Sequence, residues 1–189
     1  MVREIVLWGH PALREKGRRV EAVTSEIREL ANDMLETMRD AEGVGLAAQQ
    51  VGEPIQLAVI DVSHDEECVS YLRVNGEERV IADIMPLVFV NPEIEYGVSK
   101  ELQQEGCLSF PELRIDIRRS AEVTARVQTL DGEELEIETD GLLARAIQHE
   151  VDHLFGVLFI DRLSTARKVS LRRRLKELRE LYREGVESD

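Results

Sequence analysis

The stretch 121–139, AEVTARVQTLDGEELEIET, alternates apolar and polar residues on both sides of Asp131-Gly132. A period of two sends successive side chains to opposite faces of a strand, and Asp-Gly is a favoured two-residue connection. The stretch therefore reads as an antiparallel hairpin. The period then changes at once. In DGLLARAIQHEVDHLFG, Leu143, Ile147, Val151 and Leu154 recur at helical spacing, with Thr139 or Asp140 near the start and Gly156 at the end. A hairpin running straight into an amphipathic helix departs from regular strand–helix alternation and points to an α+β fold.

The other segments fit that class. TSEIRELANDMLETMRDAEG reads as the first helix, capped by Thr24 or Ser25 and stopped by Gly43. Its buried face is Ile27, Leu30, Ala31, Met34, Leu35 and Met38. GVGLAAQQVGEP reads as a glycine-containing loop, IQLAVIDV (55–62) as a strand, and PLVFVNPEIE as a strand broken by Pro92. Residues 63–83 are polar and acidic, a surface loop or hairpin around Asn75-Gly76. A last helix is expected from about 165 to 184, with Leu171, Leu175, Leu178 and Leu181 as its inner edge. The expectation is mixed or antiparallel strands around a central helix, with a C-terminal helix, forming one domain over 1–189.

Charge divides the chain. The net charge of −14 argues against nucleic-acid binding by the surface as a whole, and DNA is not an expected partner. The segment 165–184 is nevertheless basic. Arg167, Lys168, Arg172, Arg173, Arg174, Lys176, Arg179 and Arg183 stand there against Glu177 and Glu180. No apolar run approaches the roughly 20 residues a membrane helix needs, and MVREIVLWGH lacks a signal-cleavage pattern. The expected compartment is the cytoplasm, with no membrane partner.

The chemistry concentrates in QHEVDHLFG, residues 148–156, which holds two of the four histidines. On a helix His149 and His153 are i and i+4, so both imidazoles project from one face toward a common ion. Glu150 occupies the place of the general base in His-Glu-x-x-His sites. A catalytic site of this kind takes a third protein ligand and keeps one position open. The candidates are Asp161, Glu177, His10, His64 and the two cysteines. Cys107 lies in the glycine-containing turn QQEGCLSFPE. Cys68 lies among carboxylates in HDEECVS, which disfavour its thiolate. Read from the residues, a metallopeptidase with a carboxylate ligand and a structural metal module both stay open.

Three stretches together, GVGLAAQQ, EGCLS and QHEVDH, in this order and at these separations, resemble the three signature motifs of bacterial peptide deformylases. That family removes the N-formyl group from the initiator methionine of nascent polypeptides and releases formate. The resemblance implies Cys107, His149 and His153 as ligands of one divalent ion. That ion is Fe²⁺ in the cell, though Zn²⁺, Ni²⁺ or Co²⁺ can occupy such a site. It implies Glu150 as the catalytic acid–base, and Gln50 with the backbone N–H of Leu108 as oxyanion donors. Gly45 would pair with the extended peptide, Val44, Leu142 and Ala146 would border the methionine pocket, and Arg114 would contact the peptide beyond methionine. The expected partners are formyl-Met nascent peptides and, through the basic helix, the ribosome. Glu105 could orient a ligand, whereas Asp152 and Arg145 are expected to face outward.

Overall fold

A computed structural model of the chain describes residues 1–65 and 70–188. Cys68 lies outside the described residues. Helix α1, Ser25–Asp40, is capped by the Thr24 hydroxyl, which accepts from the Ile27 N–H. It buries Leu30, Ala31, Met34 and Met38, each long apolar side chain contributing roughly 1.5–3 kcal/mol. The left-handed residue at its exit is Glu42, with φ 53°. Gly43 is thus not the stop itself, and its N–H donates to Met38 O at 2.8 Å.

The glycine motif is not simply a loop. Gly45–Ala47 forms strand β1, and residues 48–51 wind into one tight helical turn. Strand β2 is Leu57–Ile60 and β3 is Leu72–Val74; β4 is Glu77–Glu78 and β5 is Leu87–Tyr96. The Asn75-Gly76 turn joins β3 to β4 as expected. Pro92 does not break β5. The strand instead bulges between Val90 and Glu93, with Asn91 at φ 53°. A bulge is where a residue without an N–H is tolerated in a strand, and Asn91 exchanges two hydrogen bonds with the Val20 backbone at 2.8 and 2.9 Å.

Strands β6, Lys100–Cys107, and β7, Phe110–Ser120, form a long antiparallel hairpin. The residues of β6 are mostly exposed and charged or polar, so their sequence carries no apolar alternation. Strands β8, Glu122–Gln128, and β9, Glu134–Asp140, form the expected hairpin. A seven-stranded sheet in the order β1-β2-β5-β8-β9-β3-β4 stands beside the separate β6–β7 pair. Every named strand pairing is antiparallel.

Helix α2, Gly141–Leu154, packs on one face of the large sheet, where Leu143, Ile147, Val151 and Leu154 meet Ala58, Ile60, Phe89 and Ile137. Helix α1 covers the other face against Leu57, Val59 and Val90. Strand β2 is buried on both sides, which is why its sequence is continuously apolar. Helix α3, Thr165–Ser188, packs through Leu178, Leu171 and Leu175 onto Trp8, Phe110 and Phe159. Leu181 is 52% exposed and does not belong to that inner edge. The fold class is α+β.

Candidate metal centre and active site

Helix α2 supplies His149 and His153, and the end of β6 supplies Cys107. Their ligating atoms all lie within 4.8 Å of one another. Cys107 Sγ is 3.3 Å from His153 Nε2, and the two imidazole centroids are 5.0 Å apart. The second nitrogen of His149 is committed, since Nδ1 donates to Glu105 Oε2 at 3.1 Å. Such a bond fixes the tautomer and leaves Nε2 for an ion. None of His10, His64, Asp161 or Glu177 joins the group. His10 caps the turn at 11–14, and Asp161 is ion-paired with Arg14.

The donor set suits a divalent cation. One soft thiolate and two imidazoles are ligands for zinc or ferrous ion, with room for a fourth position. Electrostatics agree with the chemistry. Burial alone would lower the pKa of His149, yet Cys107 and Glu105 beside it raise it to about 10. His153 is pushed well below its ordinary value, first by burial and then by the charge on His149.

Glu150 is fully enclosed next to this group, and burial pushes its pKa up to about 7. A carboxylate so tuned can take and return a proton near neutral pH. Among the described residues its Oε2 has no protein partner. Its position is set by β1: a Cβ at Gly45 would lie 2.8 Å from Glu150 Cδ and closer still to Oε1. Gly45 has no positive φ, so glycine is required there for space rather than for backbone conformation. Gly43 plays a parallel part, because a Cβ there would lie 2.8 Å from Leu108 Cδ1.

Gln50 is 1% exposed. Its Oε1 accepts from the Ala47 N–H at 2.9 Å, which turns Nε2 toward Cys107 Sγ at 3.6 Å and Ser109 Oγ at 3.4 Å. The N-terminal segment straps both motif turns in place. The Val6 N–H donates to Gln50 O, and the Trp8 N–H to Ser109 O. Val44 is 40% exposed at the mouth of the glycine motif, whereas on α2 Ala146 is buried and Leu142 is half-buried against the core. Arg114 is exposed on β7, across the hairpin from Gly106.

Two residues expected to face outward do not. Arg145 is 6% and Asp152 5% exposed. Arg119 of β7 donates to Glu105 through Nε and Nη2 at 2.6 and 2.9 Å, and to Asp152 through Nη1 at 2.7 Å. Arg145 also donates to Glu105 Oε1 at 2.6 Å, and Arg162 Nε donates to Asp152 at 2.6 Å. Burial would raise the pKa of Glu105, but the bonds from His149 and Arg119 outweigh it and hold it at about 2. No local pattern signals this web, because its members are far apart in sequence and join only when the β6–β7 hairpin meets α2.

Two imidazoles and a thiolate converging beside a buried glutamate of raised pKa fit a mononuclear metallohydrolase class of site. Residues 2–169 match the family model described as polypeptide deformylase. The chain is 45% identical over 179 residues to the peptide deformylase of Methylacidiphilum infernorum, covering 95% of this chain and 94% of that one. It is 42% identical over 185 residues to that of Opitutus terrae, covering 97% and 96%. The structure matches that of a Legionella pneumophila peptide deformylase with a TM-score of 0.78 at 36% identity, over 96% of this chain and 97% of that one. The chain belongs to the peptide deformylase family, the metal-dependent hydrolases that remove the N-formyl group from nascent polypeptides.

Proposed function

We infer that Cys107, His149 and His153 hold the divalent ion, and that Glu150 moves the proton in release of formate from formyl-Met peptides. The observation that carries the reading is the convergence of those three ligating atoms within 4.8 Å, beside a glutamate whose pKa is raised to about 7. When bound, the ion supplies Lewis acidity toward water and the formyl carbonyl. Glu150 accepts a proton at Oε2 as water adds to the formyl carbon, and returns it to the departing amine. Gln50 Nε2 and the Leu108 N–H donate to the oxygen that gains charge. β1 is the end strand of the large sheet, and its outer edge at Gly45 receives the peptide as an added strand, with Val44, Leu142 and Ala146 bordering the methionine side chain. Arg114 meets the peptide beyond methionine.

Fe²⁺ is the working ion in this reading, acting in the cytoplasm, and 1–189 is one catalytic domain. The thiolate makes a ferrous site open to oxidation. A formate-release assay on a formyl-Met tripeptide, with anaerobically purified protein of measured metal content, tests it. Turnover proportional to bound Fe²⁺ is expected, and an iron-loaded protein without turnover would reject the function.

The basic face of α3 supports a second statement, that the helix docks on ribosomal RNA. Arg167, Arg173 and Lys176 side chains are 61%, 93% and 77% exposed there. Phosphate contacts of this kind weaken with salt. Removing residues 165–189 should lower co-sedimentation with ribosomes; equal co-sedimentation of the shortened protein ends the idea.

A further inference from the structure

The ligands come from two pieces of the fold that share no strand pairing. Cys107 ends β6 in the separate two-stranded sheet, while His149 and His153 lie on α2. Side chains must therefore set the distance between thiolate and imidazoles. Gln148 closes one end, exchanging hydrogen bonds with the Ser120 backbone at 3.0 and 2.9 Å. Nearer the ligands, beside the His149–Glu105 and Arg119–Asp152 bonds, stands Arg145, one helical turn before His149. Its Nη1 donates to Glu105 Oε1 on β6 at 2.6 Å and to Ile117 O on β7 at 3.1 Å, and its Nη2 reaches Glu101 O on β6 at 3.4 Å. One guanidinium thus grips both strands of the hairpin and the carboxylate that orients His149.

We propose that Arg145 is a positioning residue: it fastens the cysteine-bearing hairpin to the histidine-bearing helix, and thereby governs how tightly the site retains a divalent ion. The proposal rests on the reading of Cys107, His149 and His153 as ligands. Arg145 touches neither ion nor substrate, and acts through Glu105 and the hairpin backbone. Arg119 makes a second tie, from β7 to Asp152 on α2, but all its bonds run to side chains, whereas Arg145 also holds the hairpin backbone. A planar fork fits three acceptors on two strands, whereas an ammonium serves them as a point charge.

The test uses the full chain loaded with Zn²⁺ and follows transfer of zinc to a colorimetric chelator. Arg145→Met keeps the packing volume, and should release zinc about 10–100-fold faster, the range for lost outer-sphere partners, with circular dichroism unchanged. Arg145→Lys should fall between the two. Leu143→Ala, which opens the apolar face of the same helix away from Glu105, should lower Tm and leave the zinc rate as in the unmodified protein. Zinc release at the unmodified rate from both Arg145 variants overturns the proposal. So does equal acceleration in Leu143→Ala, because it would show only general loosening. Should Arg145→Met fail to fold, the lysine variant decides by the same rate. Failure of the ligand reading shows differently, as an unmodified protein that binds no stoichiometric zinc.

Discussion

Helices α2 and α3 carry similar chemistry in their sequences and use it in opposite ways. Along α2 every residue from Leu143 to Leu154 is buried, including Arg145, His149, Glu150, Asp152 and His153. Its ionic groups must find partners or give up their charge, since an unpaired buried charge is far too costly. Arg145 and Asp152 accordingly pair with Glu105, Arg119 and Arg162. Along α3 the charges face water, and several pair only within the helix, as in Arg173 with Glu177 at 3.0 Å and Lys176 with Glu180 at 3.5 Å. Exposed pairs of that kind contribute about 0.3–0.5 kcal/mol each. A charge on α2 fixes a position, while a charge on α3 adds to a field.

The contrast can be tested from its strongest point downward. Glu150→Ala should keep the fold and the bound metal and lower formate release by about 10²–10⁴-fold, the span for a general acid–base. A variant fully active on formyl-Met peptides would show that α2 does not carry the proton. Gly45→Ala should cost about 10²-fold in kcat by displacing the Glu150 carboxylate, with metal content unchanged. If KM alone rises, the glycine serves peptide binding and not the base.

Stability probes the same contrast. Asp152→Ala leaves the guanidinium groups of Arg119 and Arg162 without their shared carboxylate, and should destabilise the protein by about 3–5 kcal/mol in urea unfolding. A loss below 1 kcal/mol would mean that water reaches the web and that it behaves like a surface. The smallest effect belongs to α3. Arg173→Ala with Lys176→Ala should shift stability by less than about 1 kcal/mol and leave tripeptide turnover unchanged, while weakening ribosome co-sedimentation at low salt. Changed turnover would break the separation between the two helices.

Several parts of this molecule were legible before any tertiary structure. The β8–β9 hairpin, the apolar faces of α1 and α2 and a cap at Thr24 or Ser25 follow from spacing and local chemistry, and the structure selects Thr24. The i, i+4 histidines with Glu150 announce a metal helix, and the three motifs point to the family. The β6–β7 hairpin was not legible, because its exposed strand β6 needs no apolar alternation. Nor did Pro92 end β5, since a bulge absorbed it. Each of these depends on what lies across from the residue.

By itself, then, the sequence determined the local elements and the residue types that do the chemistry, because helical spacing and motif order are properties of a single segment. Only the tertiary structure decided that Arg145 and Asp152 turn inward, that Glu42 makes the left-handed turn and that Gly45 is the seat of Glu150. Burial and pairing are set by which segments meet, and two guanidinium groups held to one carboxylate on a neighbouring strand outweigh the preference of an arginine for water.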